Sequence, residues 1–320
     1  MNKYLARRLG YALLLLWGVS TLLFFLLQAA PGEFFSDMKL NPQISAETIA
    51  ALRSQYGLDR PLPARYFHWM GSVAKGEFGY SFAYNLPVST LLGPRIRNTL
   101  LLTVPALMIS WFVAVPVGVL AAYRRGSWID RVFSAGTSTL LALPDLLIAL
   151  LVLLFALRTG AFPAGGMNSA NQVQGWWKGM LDTAWHMILP VAALVVGSLP
   201  TLLRHTRASM VEVLNSSFMR AARGHGLSTT SLLFRHALPA AANPLISLFG
   251  LSVAGLLSVS LLVEVIVGWP GMGPLLIEAI LGRDLFVVIA AVIFSTLFLV
   301  AGNLLADILL YAFDPRIRVQ

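Results

Sequence analysis

Apolar residues run through this 320-residue chain in six long blocks, separated by polar stretches rich in glycine, proline and arginine. A bilayer core takes about 20 apolar helical residues at roughly 1.5 Å each. Residues 9–28, 99–122, 132–157, 184–203, 240–263 and 285–310 all reach that length, and the only acids or histidines inside them are Asp145, His186 and Asp307. The pattern predicts an all-α polytopic membrane protein with six transmembrane helices and a segment of about 70 residues, 29–98, outside the membrane between the first two. Six spans bring both termini to one side.

Composition agrees with that pattern. Hydrophobic residues make up 57% and charged residues 12% of the chain, with mean hydropathy +0.75, against roughly 45–50% and 25% in soluble domains. The basic residues give an orientation, because lysine and arginine are retained on the cytoplasmic face. Lys3, Arg7 and Arg8 precede the first span, and Arg124, Arg125 and Arg131 lie between the second and third. Arg204, Arg207, Arg220, Arg223 and Arg235 fall between the fourth and fifth, and Arg316 and Arg318 follow the last; the acids on this side are Asp130, Glu212 and Asp314. The net charge of +9 is therefore a topology signal and implies no nucleic-acid partner. The expected organisation is a cytoplasmic N-terminus and first helix (1–28), an external segment (29–98), a five-helix core (99–311) that includes a cytoplasmic loop (204–239), and a cytoplasmic tail (312–320). A basic start before an apolar run also fits a cleavable signal peptide, but the run exceeds the roughly 7–15 residues of a signal core.

Local signals subdivide the polar stretches. Ser45 is placed to cap a helix through Tyr56 that Gly57 stops, and Pro61 and Pro63 suggest an extended turn before a second helix around Tyr66 to Lys75. In Ser217 to Pro239, SFMRAARGHGLSTTSLLFRHALP, good helix formers run from Phe218 to His225. Gly226 stands where a left-handed residue ends a helix, and Ser228 can cap a second one through Arg235. By itself this reads equally as a basic cytoplasmic loop. Gly268, Trp269, Pro270, Gly271, Met272 and Gly273 break any helix and predict a tight external turn or re-entrant loop. Asp145 follows Pro144 inside the third span, where a proline frees a carbonyl and bends the helix toward a cavity; a carboxylate there is costly against lipid, which makes it a translocation-path candidate. Asp307, near the end of the last span, reads as structural.

Chemistry of the catalytic kind is missing from the sequence. It has no cysteine and no paired histidines, so a metal site is not expected. No Gly-Lys-Ser/Thr follows a glycine loop, which leaves no ATP site in this chain.

The spacing Ala221-Ala222, three residues, Gly226, nine residues, His236-x-Leu238-Pro239 resembles the EAA loop of ABC-importer permeases. Arg220 replaces the family's first Glu and His236 its Ile, which resembles the dipeptide, oligopeptide and nickel permease branch. YGLDRPLPARYFHWMGSVAKGEFGYSF, RIRNTLLLTV, HTRASMVEVLNSSFMRAARGHGL, EVIVGWPGMGPLLIEAILGRDLFVV and DILLYAFDPRIR extend the likeness over nearly the whole chain. Tyr80, Tyr84 and His225 are departures from it. The resemblance implies a type I ABC-importer permease fold in the bacterial cytoplasmic membrane. It implies as partners a second homologous permease, two cytoplasmic ATPases that bind ATP and Mg, and an external solute-binding protein. Arg220, Ala221, Ala222, Gly226, His236, Leu238 and Pro239 would couple to the ATPases, and Gly268, Trp269, Pro270, Gly271 and Gly273 would form a gate loop facing the binding protein. Relatives carry dipeptides, oligopeptides, nickel chelates and glutathione, and no residue here chooses among them. The alternative is a self-sufficient channel or secondary transporter, which should show acid or histidine relays and internal repeats.

Overall fold

The computed structural model describes residues 2–29, 47, 54, 59–169 and 175–313. In chain order its elements are α1 (Asn2–Ala29), α2 (Leu62–Val73), a hairpin of β1 (Tyr80–Ser81) and β2 (Leu86–Pro87), α3 (Val88–Tyr123), α4 (Trp128–Leu141) and α5 (Asp145–Thr159). They continue with α6 (Trp176–Leu214), α7 (Ser217–Gly224), a π-helix (Ser231–Ala237), α8 (Leu238–Ala240), α9 (Ala242–Ile266), α10 (Met272–Leu281) and α11 (Leu285–Phe313). The hairpin is antiparallel, pairing Tyr80 with Pro87 and Ser81 with Leu86.

Among the described residues five helices, α1, α3, α6, α9 and α11, are long and apolar enough to cross a membrane, and α4 with α5 makes a sixth candidate as a bent pair. Leu14, Met108 and Phe112 stand 65%, 63% and 83% exposed, a surface that suits lipid and not water.

Three expectations need correction. The 132–157 stretch is not one continuous helix: α4 and α5 meet at 98°, because Pro144 has no N–H to continue the ladder and drives Leu143 out of the helical region. The second helix of the external segment starts at Leu62, not near Tyr66, since Pro63 sits in the first turn, where its missing N–H has no intrahelical partner to lose. The 204–239 stretch is not all loop: α6 runs on to Leu214 through Pro190 and Pro200, so Arg204 and Arg207 lie on a helix. The expected Ser45–Tyr56 helix lies outside the described residues except for Glu47 and Ser54, of which Glu47 and Ser54 are both helical; Asp314 and the tail beyond it also lie outside.

Two compact units divide the chain, residues 1–98 with 271–297 and residues 99–270 with 298–320. In the first, Phe24 of α1, Tyr66 and Trp69 of α2 and Ile289 of α11 form a buried cluster. The Tyr66 hydroxyl joins Ser20 at 3.0 Å and Thr21 at 2.7 Å, and the Trp69 indole N–H donates to Phe78 O at 3.1 Å. In the second, Leu102, Ala106, Ala149, Leu194, Leu256, Val263 and Trp269 make the core. Between apolar helices in lipid, close packing replaces the hydrophobic effect as the driving force, and small residues permit it. Gly118 of α3 is one: a Cβ there would stand 2.7 Å from the Cβ of Thr206 on α6. Gly302 of α11 meets Val253 of α9 at the same distance.

Candidate functional site

The 217–240 stretch folds as two short helices around a glycine. Ser216 caps α7 by accepting from Met219 N at 3.3 Å. Helix α7 stops at His225, and Gly226 takes φ +73°, the left-handed conformation expected for it. Ser228 accepts from Ser231 N at 3.4 Å and so caps the second helix, which runs as a π-helix from Ser231 before turning α-helical at Leu238. Pro239 explains the wider turn: it offers no N–H and its ring crowds the carbonyl four residues back, a conflict that π geometry relieves. Leu238 N accordingly bonds to Leu233 O, five residues earlier.

One face of this pair is anchored. Met219, Leu232, Leu233, Ala237 and Ala241 pack with Val119 and Ala122 of α3 and Met210 and Leu214 of α6. The other face is open. Phe218, Leu227 and Phe234 are 53%, 40% and 48% exposed, amid the exposed Arg220, Arg223 and Arg235. Of the residues singled out from the sequence, Arg220, Ala221, Gly226 and Pro239 lie on the exposed side, while Ala222, His236 and Leu238 are half-buried.

A pair that the sequence did not announce steadies the base of this region. Arg207 Nε and Nη2 donate to the two oxygens of Asp130 at 2.6 and 2.9 Å, and Gly126 N adds a third bond at 2.9 Å. Asp130 is 5% exposed. The fork ties the turn before α4 to the end of α6.

The glycine-proline turn behaves differently from a free loop. Gly268 takes φ +63°, Trp269 N donates to Glu264 O at 2.8 Å, and the Trp269 side chain is fully buried in the second unit's core. Gly166 N donates to Val267 O at 2.9 Å, and a Cβ on Gly165 would stand 2.6 Å from that same oxygen, so the 160–169 segment lies tight against the turn. On the far side Gly271 precedes α10, and Gly273 is buried within it. Glu264, in the last turn of α9, is wholly buried; it lies one residue past the 240–263 apolar block, where hydropathy gives no sign of its burial.

Within the first unit, α10 and α11 are fastened to the hairpin. Asp284 accepts from Ser81 Oγ at 2.6 Å and from Ala83 N at 3.2 Å, and Tyr84 donates to Glu278. Burial, then the Glu278 carboxylate, push the Tyr84 hydroxyl up to about 12, which keeps it a donor. The aromatic departure noted in the sequence thus has a structural use.

Asp145 opens α5 at the break and lines a cavity of about 400 Å³ with Leu194, Gly197, Ser198 and Thr201 of α6 and Leu251, Ser252 and Leu256 of α9. Its Oδ1 lies 2.8 Å from where a Gly197 Cβ would be. Ser198 bonds to Ser110 at 2.8 Å, and Ser252 accepts from the Trp111 indole at 3.0 Å and donates to Phe249 O at 2.7 Å. The bend at Pro144 was legible; the partner helices and the glycine were not.

Comparison with known proteins now decides the family. Residues 114–319 match the family described as binding-protein-dependent transport system inner membrane component, and residues 1–103 match its N-terminal companion. The chain belongs to this family of transport-system membrane components. It is 35% identical, over 99% of its length and all of the relative's, to the oligopeptide transport system permease protein AppB of Bacillus subtilis. It is 34% identical, over the full length of both, to oligopeptide permease OppB of Mycobacterium tuberculosis strain H37Rv, and 32% identical, over the same extent, to dipeptide permease DppB of Lactococcus lactis. Among solved structures it resembles an inward-facing MetNI methionine ABC transporter with a TM-score of 0.57, at 18% identity over 70% of this chain and 96% of that one; this likeness speaks for the fold. The chain is thus a multi-pass inner-membrane permease subunit of an ABC importer, a transport component and not an enzyme.

Proposed function

We propose that this permease forms half of a translocation pathway for peptides, alongside a second, similar permease, two ATPase chains that bind ATP and Mg, and a solute-binding protein. The relatives named as oligopeptide and dipeptide permeases support the substrate class. Both termini lie in the cytoplasm, as the arginine distribution argues. The 217–240 helices receive the ATPase stroke, with Arg220, Ala221, Ala222, Gly226, His236, Leu238 and Pro239 forming that element. Gly268, Trp269, Pro270, Gly271 and Gly273 form the turn on the binding-protein side, where the burial of Trp269 makes the turn a fixed post rather than a mobile probe. Asp145 lines the path. ATP-driven closure of the ATPases would move the anchored helix pair and, through α3 and α6, switch the path between faces.

The observation that carries this reading is the two-faced 217–240 pair, packed against the span ends on one side and presenting Phe218, Leu227 and Phe234 on the other. Purification from membranes is expected to bring two ATPase chains with this permease. Phe234→Asp should strip them off while leaving the permease in the membrane. Retention of the ATPases at wild-type stoichiometry in that variant would overturn the docking role.

A further inference from the structure

Asp145 is half-buried, and among the described residues its side chain has no hydrogen-bond or ionic partner. A carboxylate in a span without such a partner is expensive unless it meets water or a cation. The α5 N-terminus at its back contributes roughly half a positive charge, which eases the carboxylate's burden without cancelling it. Every other residue lining the cavity is neutral: leucines, a valine, glycines, two serines and a threonine. Ser198 and Ser252 are already engaged with Ser110, Trp111 and Phe249. That leaves Asp145 and the exposed Thr201 as the polar groups with capacity to spare. Gly197 clears the space in front of the carboxylate, since any side chain there would collide with Oδ1.

We propose that Asp145 is a selectivity residue of the path: it receives the ammonium group of a passing substrate, while the leucine walls of α6 and α9 receive apolar side chains beside it. A cavity of about 400 Å³ is within the size range of small-molecule sites, roughly 300–1,000 Å³, and suits the amino-terminal end of a short peptide. The proposal rests on the assignment of this face to the path. It adds a charge preference that the permease reading does not contain. The competing occupant is a lysine or arginine of the second permease, which would make Asp145 an assembly contact.

The absence of cysteine allows the cavity's potential to be read directly in the reconstituted complex. Thr201→Cys, and separately Leu251→Cys, are modified with a trimethylammonium-ethyl and with a sulfonatoethyl methanethiosulfonate. The reaction is followed by the mass of this chain and normalised to Ala74→Cys. A nearby unpaired carboxylate should favour the cationic reagent by roughly tenfold or more over the reference position. Adding Asp145→Asn should remove most of that preference with the complex still assembled. Millimolar trialanine should slow the modification more than N-acetyl-trialanine does. A preference that survives Asp145→Asn, protection by trialanine no greater than by its acetylated form, or loss of the second permease from Asp145→Asn complexes would overturn the proposal. These readings need neither uptake nor ATP, so the importer reading stands or falls separately, on the recovery of ATPases.

Discussion

Two glycines show how differently the same residue can be required. Gly226 has φ +73° and nothing within 4 Å of where its Cβ would be, so the demand is conformational. Gly118 sits mid-helix, and a Cβ there meets Thr206 atoms at 2.7 and 2.8 Å and the Arg207 backbone at 3.3 Å, so its demand is steric. The distinction predicts opposite tolerance. Asparagine visits the left-handed region and valine does not, at a cost of about 1–2 kcal/mol. Gly226→Asn is therefore expected to retain binding-protein-stimulated ATPase activity and uptake in vesicles. Gly226→Val should insert normally yet lose most of both; equal activity in the two variants would remove the left-handed turn from the mechanism. No such discrimination is expected at Gly118, where asparagine and valine should both weaken the α3–α6 crossing, because the obstacle is a neighbouring helix. Gly226 was readable from its own neighbours in the chain. Gly118 was not, since its partner Thr206 lies far along the sequence.

The elements divide along the same line between local and distant causes. Helix-stop glycine, Ser216 and Ser228 caps and the apolar blocks are local, and the short helices of 217–240 came out as the sequence suggested. The π-helix did not, although its cause at Pro239 was in view: a proline's effect on the four preceding residues depends on whether packing holds those residues helical, and Leu232, Leu233 and Ala237 are held by α3 and α6. Restoring an N–H at 239 should let the stretch relax to ordinary α geometry, which turns the residues on one side of the bulge relative to those on the other. Pro239→Ala is thus expected to keep the protein folded while rotating Phe234 out of its place. ATPase retention on purification should fall several-fold, and wild-type retention would show that the bulge is incidental. The break at Pro144 carries the parallel lesson. An apolar run of membrane-crossing length predicted one span, and hydropathy does not register that Leu143 has left the helix. The cavity beside Asp145 was beyond the sequence for a further reason: it needs Gly197 and Ser252 from helices whose pairing no local signal specifies.

At the scale of the whole molecule the charge pattern and the helix order make one joint statement, and it can be tested without substrate or partners. Helix α1 is a single span between the basic start and α2, so residue 74, just after α2, should face away from the cytoplasm. Residue 229 is reached after α3, the bent α4–α5 pair and α6. If the bent pair crosses the membrane as one span, 229 falls on the cytoplasmic side with Arg220, Arg223 and Arg235; if the pair instead dips in and returns, 229 falls on the same side as 74. Both positions are exposed, and the natural chain has no cysteine to interfere. Ala74→Cys in intact cells should react with an impermeant maleimide at once, and Thr229→Cys only after the membrane is opened. Labelling of both in intact cells would mean a re-entrant α4–α5 pair and an outward-facing 217–240 region. That outcome would detach the exposed Phe218–Phe234 face from any cytoplasmic ATPase, because no rearrangement of side chains could return it across the bilayer. Labelling of residue 229 alone would place the first unit's α2 and hairpin inside the cell and reverse the orientation that the arginines argue for, and labelling of neither would mean that reversal together with a re-entrant pair.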